Sequence, residues 1–186
     1  VKNKSKNSIE FNPVTNFDKS FEKYIRLLIS KSFNKDAIIG EEYKIKSSLN
    51  NYKWSIDPID GTKSFVIGVP TWSNLIGLLF EENSVLGLAN FPELNRYYLT
   101  DGKSSYLYKN KKKFALKSLN NHEIKTIKII GNFYGNINYK KRDKIISKFG
   151  KSFRLISYDA LNYCLIAEGK LDAVIETNLK PYDIIP

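Results

Sequence analysis

Little in this chain of 186 residues suits soft-metal or side-chain nucleophile chemistry: it has one cysteine, one histidine and no methionine. Cys164 alone forms no intrachain disulfide, and a single thiol fits a reducing compartment, so a cytoplasmic location is expected. His122 alone leaves no histidine-rich metal site and argues against a Ser-His or Cys-His nucleophile pair. It sits among polar residues and is expected in a surface turn. No apolar run approaches the roughly 20 residues of a membrane-spanning helix, and the Lys- and Asn-rich start has no apolar signal core, so no membrane partner is expected. Arginine is scarce. Of 30 basic residues only Arg26, Arg96, Arg142 and Arg154 are arginines, while the formal net charge is +11. The lysines are scattered, and even Lys111-Lys112-Lys113 suits a hairpin tip. We read them as a solvated surface rather than a nucleic-acid footprint, although a basic field would draw in a phosphorylated small molecule. The start at Val1 and the apolar end Ile184-Ile185-Pro186 suggest a piece cut at both ends.

What is present supports a packed core: apolar residues make up 42% of the chain and aromatics 13%. Phe17, Phe21, Tyr24, Ile25, Leu28, Ile29 and Phe33 recur at helical spacing, which predicts a helix over 16–33. Thr15 and Asp18 form a capping box at its start. The short apolar step Ala37-Ile38-Ile39 leads to Gly40-Glu41-Glu42. Strands are expected at 53–57, 71–80, 84–91, 95–100, 104–108 and 124–130, with Glu81-Glu82-Asn83 as a hairpin. Beyond them, helices at 139–149 and 159–168 alternate with strands at 153–157 and 171–176. Cys164 falls between Leu161 and Leu165 and is expected in the core. A helix followed by a meander, then alternating helices and strands, predicts layered sheets and helices of α+β class.

The chemistry concentrates in Trp54-Ser55-Ile56-Asp57-Pro58-Ile59-Asp60-Gly61-Thr62-Lys63-Ser64-Phe65. A strand delivers Asp57, and Pro58 is expected to end its ladder. Asp60 follows, Gly61 permits a tight turn, and Thr62 opens a short helix. Two carboxylates then converge beside a helix N-terminus. Carboxylates hold hard cations such as Mg²⁺, and helix N-termini hold phosphate oxygens. Asp-Pro and Asp-Gly are also ordinary turn pairs, but the whole string says more than either pair.

That string resembles the Asp-Pro-Ile/Leu-Asp-Gly-Thr signature of the inositol monophosphatase family. Gly40-Glu41-Glu42, Pro13-Val14-Thr15-Asn16-Phe17-Asp18 and Pro181-Tyr182-Asp183 resemble three more of its motifs in the right order. The resemblance runs from about residue 8 to 186. It implies a single domain over 1–186 with a layered αβαβα sandwich, a metal-binding half to about 120 and an incomplete α/β half after 121. It also implies a Mg²⁺-dependent, lithium-sensitive phosphomonoesterase with two or three ions. Glu41, Asp57 and the Ile59 carbonyl would hold the first ion, and Asp57, Asp60 and Asp183 the second. Thr62 with Glu41 would orient and help deprotonate the attacking water, and the N–H groups of Gly61 and Thr62 would bind phosphate. Asp18 would lie near the metals or serve only as the helix cap. A homodimer is compatible with the resemblance.

The substrate side resembles the histidinol-phosphatase branch, in Leu179-Lys180-Pro181-Tyr182-Asp183 and in Gly61-Thr62-Lys63-Ser64-Phe65 followed by Gly68. Asp159 takes a position that is usually small in inositol enzymes, and Glu176 matches a substrate-touching glutamate. Two acids suit the ammonium and imidazole of histidinol phosphate. Asp159 could also serve as a helix N-cap, and the two roles can coexist. Inositol 1-phosphate, fructose 1,6-bisphosphate and 3′-phosphoadenosine 5′-phosphate are the alternative substrates. An inactive binding protein is the alternative outside enzymes. The Lys-x-Asp expected before Pro13 is absent: the stretch reads Ile9-Glu10-Phe11-Asn12.

Overall fold

A computed structural model describes residues 2–3, 13–119, 126–133, 138–150 and 153–186. His122 lies outside the described residues. Strands β1 (Lys2–Asn3) and β2 (Pro13–Val14) pair antiparallel ahead of helix α1 (Asn16–Ser32). The capping box forms as the spacing predicts: Thr15 Oγ1 accepts from the Asp18 N–H, and Asp18 Oδ2 accepts from the Thr15 N–H. Which face turns inward is less legible. Asp18, Glu22 and Ile29 are buried, whereas Phe17, Phe21, Tyr24 and Leu28 are exposed. Two carboxylates thus turn inward, while Phe17 packs edge-on against Phe65, and Phe21 and Tyr24 border an open groove with Ile76 and Leu88.

Strand β3 (Ala37–Gly40) runs parallel to β4 (Tyr52–Asp60). Pro58 does not end β4, contrary to expectation. The strand continues to Asp60 through a register shift between Asp57 and Asp60, and proline's missing N–H is tolerated at such a bulge. Gly61, at φ 78°, turns the chain into the short helix α2 (Thr62–Ile67). Four strands follow in an antiparallel meander: β5 (Ser73–Phe80), β6 (Asn83–Phe91), β7 (Arg96–Thr100) and β8 (Ser105–Lys109). The β5–β6 hairpin forms at Glu81-Glu82, both at positive φ, as a type I′ turn requires. An unforeseen strand, β9 (Lys112–Ala115), completes a seven-stranded sheet in sequence order.

The later part builds a separate parallel sheet in which β10 (Ile129–Asn132) lies between β11 (Phe153–Leu155) and β12 (Ala173–Glu176). Helix α3 (Tyr139–Phe149) connects its first two strands, and α4 (Leu161–Ala167) precedes the third. The last helix, α5 (Pro181–Ile184), packs on β4 and β5.

Alternation along β4 explains the layering. Ile56 and Trp54 join Ile38, Ile25 and Ile29 beneath α1. On the opposite face Leu75, Phe91, Tyr98 and Leu107 pack against Ala160, Leu161 and Cys164 of the α4 region. Alpha-helix α4 also contacts β12, so α1, the large sheet, α4 and the small sheet stack in that order. This is a layered α+β fold. Cys164 is core, as expected, and burial pushes its thiol up to about 12.

Candidate active site

Asp57 occupies the face of β4 that looks toward α4 and α5, and it is only 3% exposed. The bulge at Pro58 brings Asp60 to the same end, and α5 supplies Asp183. One carboxylate oxygen from each of the three lies within 4.8 Å of the others. Neighbouring groups fix each acid. The Ile59 N–H donates to Asp57 Oδ1 at 3.0 Å. Asp60 Oδ2 accepts from the Ala160 N–H at 2.8 Å and Ser73 Oγ at 3.2 Å. The Lys180 N–H donates to Asp183 Oδ2 at 2.6 Å.

Such crowding is electrostatically unfavourable without a cation. Burial, then the charges of Asp60, Glu41 and Asp183, hold the Asp57 carboxyl well above its ordinary value. Burial and the charge of Asp159 push Asp60 up to about 8, and burial raises Asp183 as well. An all-oxygen donor set of converging carboxylates is what a hard divalent cation takes. The residues present therefore fit Mg²⁺.

All the site residues expected from the sequence line one cavity of about 780 Å³: Glu41, Asp57, Ile59, Asp60, Gly61, Thr62, Asp159, Glu176 and Asp183. Glu41 stands outside the tight trio, although its charge reaches Asp57. Thr62 Oγ1 lies 3.0 Å from the Ile59 carbonyl and 3.3 Å from Asp18 Oδ1, so its single proton serves one acceptor at a time. Asp18 thus caps α1 and also reaches Thr62.

Asp159 does not cap α4, correcting that reading. Ala160 takes the cap position without a side-chain bond, and Asp159 sits one residue earlier at φ 51°. Its carboxylate accepts from Ser64 Oγ at 2.9 Å and packs over Gly61, where a Cβ would come within 2.4 Å of Oδ2. Gly61 is thus required both by its backbone angle and by this neighbour. Glu176 accepts from Asn162 Nδ2 at 3.0 Å and from the Tyr163 hydroxyl at 2.8 Å. Burial raises the Glu176 carboxyl and, with the Glu176 contact, the Tyr163 hydroxyl. Nothing in the local sequence marks Ser64, Asn162 or Tyr163 as supports, because each acts across the fold.

Layered sheets that bring an acid trio to a strand end define a class of α+β fold, and comparison with known proteins specifies it. The family profile described as "Inositol monophosphatase family" matches residues 1–186. The fructose-1,6-bisphosphatase/inositol-1-monophosphatase of Aquifex aeolicus is 30% identical over 181 residues, covering 92% of this chain and 66% of that protein. The histidinol-phosphatase of Mycobacterium tuberculosis is 26% identical over 186 residues, covering 94% and 69%. The extragenic suppressor protein suhB of Bartonella henselae superposes with a TM-score of 0.80 at 20% identity, covering 94% of this chain and 69% of that one, which shows the shared fold. The chain belongs to the inositol monophosphatase family. It spans about two thirds of the length of the curated relatives it matches. Among the described residues no helix is long and apolar enough to cross a membrane.

Proposed function

We propose that the protein is a Mg²⁺-dependent phosphomonoesterase that hydrolyses histidinol phosphate. The observation that carries the phosphatase reading is the Asp57–Asp60–Asp183 trio beside the Gly61-Thr62 turn in one cavity. Two or three Mg²⁺ ions, held by Glu41, Asp57, the Ile59 carbonyl, Asp60 and Asp183, would supply neutralising charge for the phosphoryl oxygens and acidify water. The N–H groups of Gly61 and Thr62 bind the phosphate. The Thr62 hydroxyl and Glu41 orient the attacking water in line with the ester oxygen; the Glu41 carboxylate accepts its proton, Thr62 relays one only by handing its own to Asp18, and the departing alkoxide takes a proton from a site water. No nucleophilic side chain is required, in keeping with a buried Cys164.

Asp159 and Glu176 face the rest of the substrate. Their fixed carboxylates suit an ammonium and an imidazole, and three of the matched relatives are named histidinol-phosphatase. Inositol 1-phosphate is the second reading, favoured by the Ser64 bond that already engages Asp159 and by the Aquifex relative's name. We take the chain as one domain acting in the cytoplasm, with a homodimer compatible with the family.

The test is a phosphate-release panel on the full-length protein with Mg²⁺. It compares histidinol phosphate, inositol 1-phosphate, fructose 1,6-bisphosphate and 3′-phosphoadenosine 5′-phosphate. The highest kcat/KM on histidinol phosphate is expected. A clear preference for inositol 1-phosphate removes the histidinol assignment and keeps the phosphatase. Full activity after EDTA treatment overturns the metal reading, and no turnover of any ester favours an inactive binding protein.

A further inference from the structure

We infer that Glu22 and Arg26 of α1 are positioning residues for Glu41, gripping the backbone on both sides of it. The inference rests on the reading of Glu41 as a metal-site residue. Glu22 is fully buried, at 0% exposure. Its Oε2 accepts from the Glu42 N–H at 2.7 Å, and its Oε1 accepts from the Tyr43 N–H at 3.2 Å. Arg26 Nε, one turn along the helix, donates to the same Oε1 at 2.7 Å. Arg26 Nη2 in turn donates to the Tyr43 carbonyl at 3.2 Å, and its guanidinium lies 5.8 Å from the Tyr43 ring centre. Residue 43 is therefore held by its N–H and its carbonyl at once.

Gly40 completes the grip from the other side. A Cβ there would stand 2.0 Å from Glu22 Oε1, so the backbone approaches the carboxylate as closely as glycine allows. Glu41 sits between these clamped neighbours and lines the cavity that holds the acid trio.

Stability alone is a poor explanation for this pair. Burying a carboxylate and a guanidinium carries a desolvation cost, and apolar residues of similar size often replace such pairs without loss. An apolar side chain could fill the α1–β3 junction, but it could not accept the N–H groups of residues 42 and 43. What the carboxylate adds is a fixed loop. Supports of this kind around metal ligands typically contribute 10–100-fold in metal affinity.

The test uses full-length protein stripped with EDTA and titrated with Mn²⁺ alone, free Mn²⁺ being read by its EPR signal. Mn²⁺ takes the same octahedral oxygen sites as Mg²⁺. Glu22→Gln keeps the volume but presents an amide NH₂ toward a backbone N–H. Its Kd for Mn²⁺ should rise about tenfold or more. Arg26→Lys keeps the charge, loses the fork to Tyr43, and should raise the Kd less. It decides the matter if Glu22→Gln does not fold. Asp36→Asn is the control. That buried acid bonds Trp54 Nε1 at 2.9 Å and Asn50 Nδ2 at 2.7 Å, and it has no bond to residues 41–43 among those described. It should lower Tm and leave the Kd unchanged. A wild-type Kd in folded Glu22→Gln or Arg26→Lys, or a Kd shift in Asp36→Asn as large as theirs, overturns the inference. Absence of saturable Mn²⁺ binding in the wild type, or binding that survives Asp57→Asn, overturns the underlying metal-site reading instead.

Discussion

The proposed function gives Thr62 two separable roles, one in its hydroxyl and one in its backbone N–H. Thr62→Ala removes only the first. The variant should lose kcat by roughly 10²–10⁴-fold with little change in KM, because the amide remains. Steady-state kinetics checks this, and an unchanged kcat removes the role. Asp159 should divide selectivity from chemistry. Asp159→Ala should raise KM for histidinol phosphate by an amount equivalent to about 1.5–3 kcal/mol and barely affect p-nitrophenyl phosphate, which has no amine. Equal losses on both esters would make Asp159 a structural partner of Ser64. Local chemistry decides which residues the sequence discloses. Asp57, Asp60, Gly61 and Thr62 are legible because strand, turn and helix start follow one another within a few residues. Asp183, Glu41, Asp159 and Glu176 are legible only through the family's pattern. Glu22 and Asn162 are hidden among helical residues, since their partners come from other elements.

At the scale of elements, the meander and the helices were largely legible from periodicity and turn residues. Two departures have physical causes. Pro58 reads as a strand end, yet the bulge accommodates it and carries β4 on to Asp60. Strand β9 has a lysine-rich, exposed sequence, and only its pairing with β8 makes it a strand. The β5–β6 turn offers a stability test. Glu81 and Glu82 adopt φ 49° and 65°, a region costing non-glycine residues about 1–2 kcal/mol each. Their bonds to Asn51 and Lys53 are exposed and contribute little. Replacing both, Glu81→Asn with Glu82→Gly, should stabilise the protein by about 1 kcal/mol and raise Tm by about 2–4 °C in thermal unfolding. A lower Tm would show that the two surface contacts outweigh the backbone.

For the whole molecule, the raised carboxylates tie stability to pH. Asp57, Asp60 and Asp183 keep protons in the metal-free fold above the ordinary value of 3.8, Asp60 up to about 8. Between those limits the folded state binds more protons than the unfolded chain, so stability falls as pH rises. Asp101 and Glu168 shift downward, but their contribution is already complete above the ordinary carboxylate range. In EDTA, Tm should therefore drop from pH 5.5 to pH 8. The Tm gained on adding Mg²⁺ should grow over the same interval, because the ion takes the ionised carboxylates. Differential scanning fluorimetry at the two pH values measures both. A Tm in EDTA that rises with pH would refute the crowding of charge.

Asp57 and Asp183 lie far apart in sequence, and their repulsion exists only once α5 has docked on β4. Docking of so distant a segment is expected to follow the folding barrier, as a low-φ contact does. The crowded acids then act as a spring that hastens unfolding and leaves the folding rate nearly untouched. Relaxing that spring, by Asp57→Asn without metal or by Mg²⁺ in the wild type, should lower the unfolding arm of a stopped-flow chevron and spare the folding arm. The lifetime of the folded protein would then be set by the concentration of the ion that its chemistry uses.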